Sequence, residues 1–369
     1  MTATSDSATV LVEARRVAAD IVGLLGVEVD AATILTGRAA VMNLARPGRT
    51  SAGGATRLLP AVDGWCAVAL PRDDDLAALP ALMEVDAVTG DPWAALTHWA
   101  ATRSTDNVVD RARLLDIAAA ALGEAAAGPP NVQRCGAGGG PRRADGLLVA
   151  DLSSLWAGPL CGQLLARAGA VVVKVESPSR PDGTRRGEPA FFDWMNAGKL
   201  SYCLDFDNDG DALRRLLNAA DIVIEGSRPA ALRRRGLSAG DLPGRPGRIW
   251  LRINGYRDQP DRPAFGDDAA VAGGLVGDGP VFLGDAIADP LSGLEAARAV
   301  GESLRSGGGE VIEVSMAQVA ARYAGLTQSP DSDAPAEPPS RPAVPPASAL
   351  GADNAAVELL VSERLCAPC

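Results

Sequence analysis

Residues 147–176, LLVADLSSLWAGPLCGQLLARAGAVVVKVE, read as strand, loop, helix and strand. Leu147 to Ala150 and Ala170 to Val175 are short, near-continuous apolar runs rich in Val and Leu, the composition of strands buried on both faces. Between them a helix is expected from Gly158 to Ala168, with Pro159 in its first turn, where a missing N–H is harmless. The alternation continues downstream. Ser201 to Phe206, Asp221 to Glu225 and Arg248 to Ile253 read as strands, and Asp209 to Asn218 and Ala230 to Arg235 as helices. Strands of this kind separated by helices predict an α/β fold with a doubly wound parallel sheet covered on both sides. Ligands of such sheets bind outside the carboxyl ends of the strands.

Two low-complexity joints bound this core. Ala125 to Asp145 is rich in Gly and Pro, and Ser329 to Ser348 is rich in Pro; neither has an apolar period. They divide the chain into a smaller α+β region over 1–125, a linker at 126–145, the large α/β domain at 146–328, a second linker at 329–348, and a tail or helix at 349–369. In the first region Val10, Ala14, Val17, Ile21, Leu24 and Leu25 fall on one helical face. Asp63-Gly64 reads as a turn between Arg57 to Pro60 and the strand Trp65 to Leu70. Helices are expected at Asp74 to Met83, Pro92 to Ala101 and Thr105 to Leu115.

Composition narrows the function. The 369 residues carry 35 Lys+Arg against 46 Asp+Glu, a net charge of −11, which argues against nucleic acid as a partner. No apolar run is long enough to span a bilayer and the N-terminus lacks a signal-peptide pattern, so neither a membrane partner nor export is expected and the location predicted is cytoplasmic. Six scattered cysteines make no disulfide scaffold, and the lone Cys366-Ala-Pro-Cys369 pair is a weak metal or redox signal; no metal is expected. His98 is the single histidine, which disfavours a Ser-His-Asp hydrolase or a His-rich metal centre. It lies in a helical segment beside Trp93 and Trp99, with an ordinary packing or surface role. The loop after the first strand lacks both GxGxxG and GxxxxGK[ST], removing the dinucleotide fingerprint and the P-loop.

The order of further elements is distinctive: Asp151-Leu-Ser and Ala157-Gly-Pro-Leu; Gly183-Thr-Arg185; Asn196-Ala-Gly-Lys199; Glu225 followed by Arg228-Pro; Ile253-Asn-Gly-Tyr256; Arg262-Pro263; Ala288-Asp289; Ser292-Gly293; and Arg305-Ser-Gly-Gly-Gly-Glu310 before the strand Val311 to Val314. This series resembles the N-terminal half of the family III CoA-transferases (the CaiB/BaiF family), which includes formyl-CoA and carnitine CoA-transferases and α-methylacyl-CoA racemase. Ala55 to Leu70 and the helices up to Leu122 resemble the small domain that in the family follows the large one, and Ala349 to Val357 resembles its closing segment, so the chain reads as a member with rearranged domain order. The resemblance implies a CoA-binding large domain and a homodimer. It also implies acyl-CoA and a small carboxylic acid as substrates, with coenzyme A carried as acyl-CoA.

By the same match Asp289 stands at the family's catalytic aspartate, implying CoA transfer through an aspartyl-CoA intermediate. A carboxylate needs no activating base at neutral pH, which suits a chain with one histidine. Read from spacing alone, Asp289 before Pro290 and a helical pattern is an N-cap. Backbone donors for the tetrahedral intermediates are expected from Ala272 to Gly277 or Gly307 to Gly309. Leu155, Trp156 and Ala157 correspond to the family's loop beside the thiol end of CoA, and Phe206 and Arg234 to adenine- and phosphate-contacting positions. Two departures remove CoA contacts: a position that can be basic is Asp207, and the usual Glu-Asn-Phe is Glu225-Gly-Ser227. Alternatives are a degenerate member that binds acyl-CoA or a partner without turnover, and a racemase. For the latter, the Gly-His-Asp of racemases reads Gly266-Asp267-Asp268, leaving an Asp267/Asp289 pair in place of two dissimilar bases.

Overall fold

The computed structural model describes residues 7–45, 47–226, 228–326 and 344–366. The chain opens with α1 (Ser7–Leu25) and α2 (Ala31–Val41). Asp30 caps α2, its carboxylate accepting from the amides of Ala32 at 3.0 Å and Thr33 at 3.3 Å. A small antiparallel sheet follows, β1 (Thr56–Pro60), β2 (Trp65–Ala69) and β3 (Ala118–Ala121), in the order β1-β2-β3. Between β2 and β3 run α3 (Asp73–Ala77), α4 (Leu79–Met83), α5 (Pro92–Ala100) and α6 (Thr105–Leu114). These helices bury Leu79, Leu82, Leu96 and Val108 against Cys66, Val68 and Ala119. Ala118–Ala121, four alanines of high helix propensity, form a strand because Cys66 to Ala69 offers a partner edge.

The stretch expected to be a linker carries β4 (Asn131–Arg134), which lies antiparallel on the outer edge of the main sheet. The core then alternates as the sequence indicates. β5 (Leu148–Asp151) leads to α7 (Ala157–Arg167) and β6 (Val171–Glu176). Next come α8 (Pro189–Asn196), β7 (Leu200–Cys203), α9 (Gly210–Ala219), β8 (Ile222–Glu225), α10 (Pro229–Arg233) and β9 (Ile249–Asn254). Beyond β9 lie α11 (Gly266–Ala272), the short hairpin of β10 (Val276–Gly277) and β11 (Val281–Phe282), and α12 (Ala288–Arg305). The chain closes with β12 (Glu310–Ser315), α13 (Met316–Ala324) and α14 (Asn354–Cys366).

The seven-stranded sheet has the order β4-β12-β9-β8-β5-β6-β7, parallel throughout except for β4. Chain order reverses between β5 and β8, so a topological switch point opens at their carboxyl ends. On one face α7, α12 and α13 bury a core that α1 and α2 also join, through Val10, Val17, Ile21, Ile34 and Leu35. On the other face α9 and α10 bury Leu213, Leu216 and Leu232 with Trp250, and α14 adds Val357 and Val361. The segment before α14 guards the edge of β7. Asp353 accepts from the Ser201 amide at 2.8 Å, and Asn354 both accepts from and donates to the Cys203 backbone at 2.9 Å, as a neighbouring strand would. Most of the proline-rich stretch and Cys369 lie outside the described residues.

Candidate functional site

The loop from β5 to α7 sits at the switch point and is pinned from below by two buried lysines. Lys199 Nζ donates to Asp151 at 2.9 Å, to the Pro159 carbonyl at 2.9 Å and to Asn196 Oδ1 at 3.1 Å. Lys174 Nζ donates to Asp182 at 2.8 Å and to the Ser153 carbonyl. Burial opposes ionisation of both acids, yet the lysines hold Asp151 and Asp182 below the usual carboxylate range. Asp182 in turn accepts from the Leu155 amide at 3.1 Å. That bond supports a left-handed backbone, φ 70°, at a residue with a full side chain. Leu155 is therefore exposed on a fixed loop. Trp156 is buried, edge-on to Phe191 at 5.4 Å between ring centres, and Ala157 opens α7.

Asp289 comes to this loop from the other side. It is half-buried in the first turn of α12, and Pro290 follows it as expected, but it does not cap the helix: Ile287 holds the N-cap position and the Asp289 amide donates to the Ala286 carbonyl at 2.9 Å. The side chain is thus free for another role while keeping the favourable end of the helix dipole. One turn on, Gly293 lets α12 approach α7 so closely that a Cβ there would stand 2.8 Å from the Ala157 carbonyl.

Around Asp289 the chain gathers two further acids and one arginine. Asp267, in the first turn of α11, accepts from the Ala286 amide at 3.0 Å and from the Thr56 hydroxyl of β1 at 3.2 Å. Asp285 is ion-paired with Arg38 of α2. The Arg38 guanidinium lies over the rings of Trp156 and Phe191, 5.6 and 5.4 Å from their centres. Gly266 abuts the Asp289 carboxyl, with its amide directed at it. Burial, then the charges of Asp267 and Asp285, push Asp289 up to about 7 against the pull of Arg38. Asp267 rises to about 6, chiefly through burial and Asp285, and the fully buried Asp268 to about 8. Asp268 turns away from the cluster, accepting from the Phe265 amide at 2.7 Å.

Of the residues singled out in the sequence, the fold brings Asp289 and Leu155–Ala157 to one place. Phe206 and Arg234 lie with the elements of the opposite face: Phe206 packs against the α9 core and Arg234 is exposed at the end of α10. Asp207 is bound by Arg235, with Nε at 3.0 Å. Gly226, where the family carries Asn, is occupied on one side by Ser153, whose Cβ would stand 2.9 Å from any added Cβ. Ser227 lies outside the described residues. Gly307–Gly309 are not donors to this site. They close the far end of α12, an 18-residue helix and so about 27 Å long, against the backbones of Ala137, Gly139 and Gly247. Gly273 is likewise filled by α13; the amide that faces Asp289 is that of Gly266. His98 is exposed on α5.

Arg38, Thr56, Asp285 and Phe191 complete the arrangement without any signal in the sequence. Buried polar atoms beside it lack a partner among the described residues: Trp156 Nε1, Asp285 Oδ2 and Ser292 Oγ. The indole N–H of Trp156 and the hydroxyl of Ser292 are donors left without a partner there, Asp285 Oδ2 is an acceptor, and Leu155 is exposed beside them. Among the described residues no group of His, Cys, Asp and Glu has the arrangement of a metal site, and no helix is long and apolar enough to cross a membrane.

Comparison with known proteins places the matched region around this site. The family model described as CoA-transferase family III matches residues 145–353. A succinyl-CoA–D-citramalate CoA-transferase of Chloroflexus aurantiacus is 32% identical over 197 residues, covering 47% of this chain and 49% of that protein. A probable fatty acyl-CoA transferase of Mycobacterium tuberculosis is 34% identical over 201 residues, 48% and 51% of the two chains. A formyl-CoA:oxalate CoA-transferase of Afipia carboxidovorans is 30% identical over 194 residues, 47% and 46%. A crystal structure of a CaiB/BaiF family protein from Brucella suis aligns with a TM-score of 0.43 at 29% identity, over 48% of this chain and 54% of that one. The chain spans about half the length of the curated relatives it matches.

Proposed function

This chain belongs to CoA-transferase family III, and on that premise we propose that it passes coenzyme A from an acyl-CoA thioester to a carboxylic acid, with the Asp289 carboxylate as covalent carrier. The observation that supports the reading is that α12, with Asp289 in its first turn, packs through Gly293 against Ala157 of the loop at the switch point of the sheet.

An Asp289 oxygen attacks the thioester carbonyl, the C–S bond breaks, and the electron pair leaves with the CoA thiolate, giving a mixed anhydride. The thiolate attacks the aspartyl carbonyl and expels the donor acid as a carboxylate, leaving aspartyl-CoA. The acceptor carboxylate then attacks that carbonyl and expels the thiolate, which takes the new acyl group and restores Asp289. Each step exchanges one anion for another, so none requires a general base. The Gly266 amide and the first turn of α12 supply positive potential beside the reacting carboxyl. Leu155 offers an apolar contact for the pantetheine arm, with Trp156 and Ala157 setting the floor of the loop. Phe206 and Arg234 are assigned to the nucleotide end, where an exposed arginine suits a phosphate.

The test is a matrix of CoA exchange between acyl-CoAs and free acids, followed by chromatography of the acyl-CoAs. It begins with succinyl-CoA and formyl-CoA, the donors in the relatives' names. At least one pair exchanges with the native protein and none with Asp289→Ala. CoA binding without exchange in any pair would favour the binding-only reading, to which the loss of contacts at Asp207 and Gly226 also points.

A further inference from the structure

The three acids around Asp289 are not equivalent. Asp267 is engaged through both carboxylate oxygens, by the Ala286 amide and the Thr56 hydroxyl. Asp285 is engaged by the Arg38 guanidinium. Among the described residues, the hydrogen-bond partner of Asp289 is the Gly266 amide. Arg38 arrives from outside the family-matched residues 145–353, and three local features fix it there. Asp30 caps the helix that carries it. Gly37 admits the Trp194 ring, which an added Cβ would meet at 2.7 Å. The guanidinium is laid over Trp156 and Phe191 with about a fifth of its side chain exposed, 21%.

We propose that Arg38 is the positioning residue of this site: by taking Asp285 in an ion pair it selects Asp289 as the carboxylate left free to react, and its charge holds that carboxylate as an anion beside two other acids. The proposal rests on the reading of Asp289 as the nucleophile. Carboxylates this close cannot all ionise without a compensating cation and would otherwise share protons. A guanidinium stays charged at any working pH, and the Trp156 and Phe191 rings lie beside it while it meets Asp285. The charged groups that bear on Asp289 are Asp267 from α11, Asp285 from the loop before α12, and Arg38 from α2.

Arg38→Gln and Arg38→Lys separate this role from general support of the fold. The first readout needs no substrate: carbodiimide labelling of Asp289, which modifies the protonated acid, is followed against pH by mass spectrometry of the peptide. In Arg38→Gln the labelling midpoint rises by about one pH unit or more, the shift expected on losing a neighbouring opposite charge. Arg38→Lys, which keeps the charge without the planar fork, falls between. The second readout is CoA exchange against pH. In Arg38→Gln it drops about tenfold near neutrality and is partly regained at high pH, while CoA affinity stays within about threefold. A folded Arg38→Gln protein with an unmoved labelling midpoint and an unmoved rate profile overturns the proposal. If the native protein exchanges no CoA but the variant still shifts the labelling midpoint, Arg38 keeps its role and the transferase reading falls. Should Arg38→Gln fail to fold, Arg38→Lys carries the test, and an unmoved midpoint there, with lost exchange, contradicts selection by charge and geometry.

Discussion

Burial, together with Asp267 and Asp285, pushes Asp289 up to about 7, and this fixes how activity and stability respond to pH. On the proposed mechanism the ionised carboxylate is the reacting form, so the rate of CoA exchange is expected to rise as pH passes through about 7 and to fall below it; a rate that is flat from pH 5 to 8 would contradict this. Because the folded protein holds that proton more tightly than the unfolded chain, whose aspartates titrate near 3.8, the associated stability is full at low pH and is lost as pH rises through about 7. Asp289→Asn removes that loss. Its stabilising effect in thermal or urea unfolding grows by about 2 kcal/mol between about pH 5 and 8, a figure reduced for the partial exposure of the group. Gly266 has a different sensitivity. A Cβ there would run into Asp289 and the Ala286 carbonyl, so Gly266→Ala displaces the reacting carboxyl and lowers exchange on the order of a hundredfold, with the circular dichroism of the sheet retained. Asp289 was singled out in the sequence through the family resemblance, because Ala-Asp before Ser-Gly is a local pattern, whereas spacing alone gave an N-cap that the structure assigns to Ile287. The neighbours of Asp289, namely Arg38, Thr56 and Asp285, were not singled out, because they are joined to it only through tertiary contacts.

Among the elements, the loop between β5 and α7 owes its shape to charges it does not itself expose. Lys199 and Asp151 are both buried and face each other at 2.9 Å. Lys199→Met leaves Asp151 uncompensated in the interior and is expected to destabilise the protein by about 3–5 kcal/mol, read from urea unfolding near neutral pH. A loss below about 1 kcal/mol would mean that the loop is held by packing alone. The parallel strands were plain in the sequence because β6, β8 and β9 are short runs dominated by Val, Ile and other apolar residues, the pattern of a doubly covered sheet. Three elements escaped for physical reasons. Helix α2 carries Gly37 in its interior, a poor helix former that weakens its sequence signal yet admits Trp194 beside Arg38. Strand β3 is all alanine, a helix former made extended by its pairing with β2. Strand β4 sits in a Gly- and Pro-rich stretch and is recruited by the free edge of β12.

At the scale of the whole molecule, the proposed site draws on α2 and β1 from the start of the chain and on α11, α12 and the β5–α7 loop from its middle, so segments far apart in sequence converge in space. The N-terminal helices are seated on the core by charge as well as by apolar packing. Glu295 of α12 is fully buried between Arg298, at 2.6 Å, and Arg322, and Arg298 also reaches Asp20 of α1 at 3.6 Å. Glu295→Ala leaves two arginines without their shared acid. It is expected to cost about 3 kcal/mol or more and to speed amide hydrogen exchange across Ser7–Leu25 more than in the small sheet, whereas uniform acceleration would place the defect elsewhere. The large sheet was legible because its strands follow one another in sequence, while the seating of α1 and α2 against α12 was not, since those contacts span most of the chain. The most direct test of the central claim is to incubate the native protein with succinyl-CoA or another acyl-CoA, quench with hydroxylamine, and map the adduct by mass spectrometry. A hydroxamate on Asp289, absent from Asp289→Asn, is the result this account predicts; acyl-CoA bound and exchanged with no adduct at that residue would contradict it.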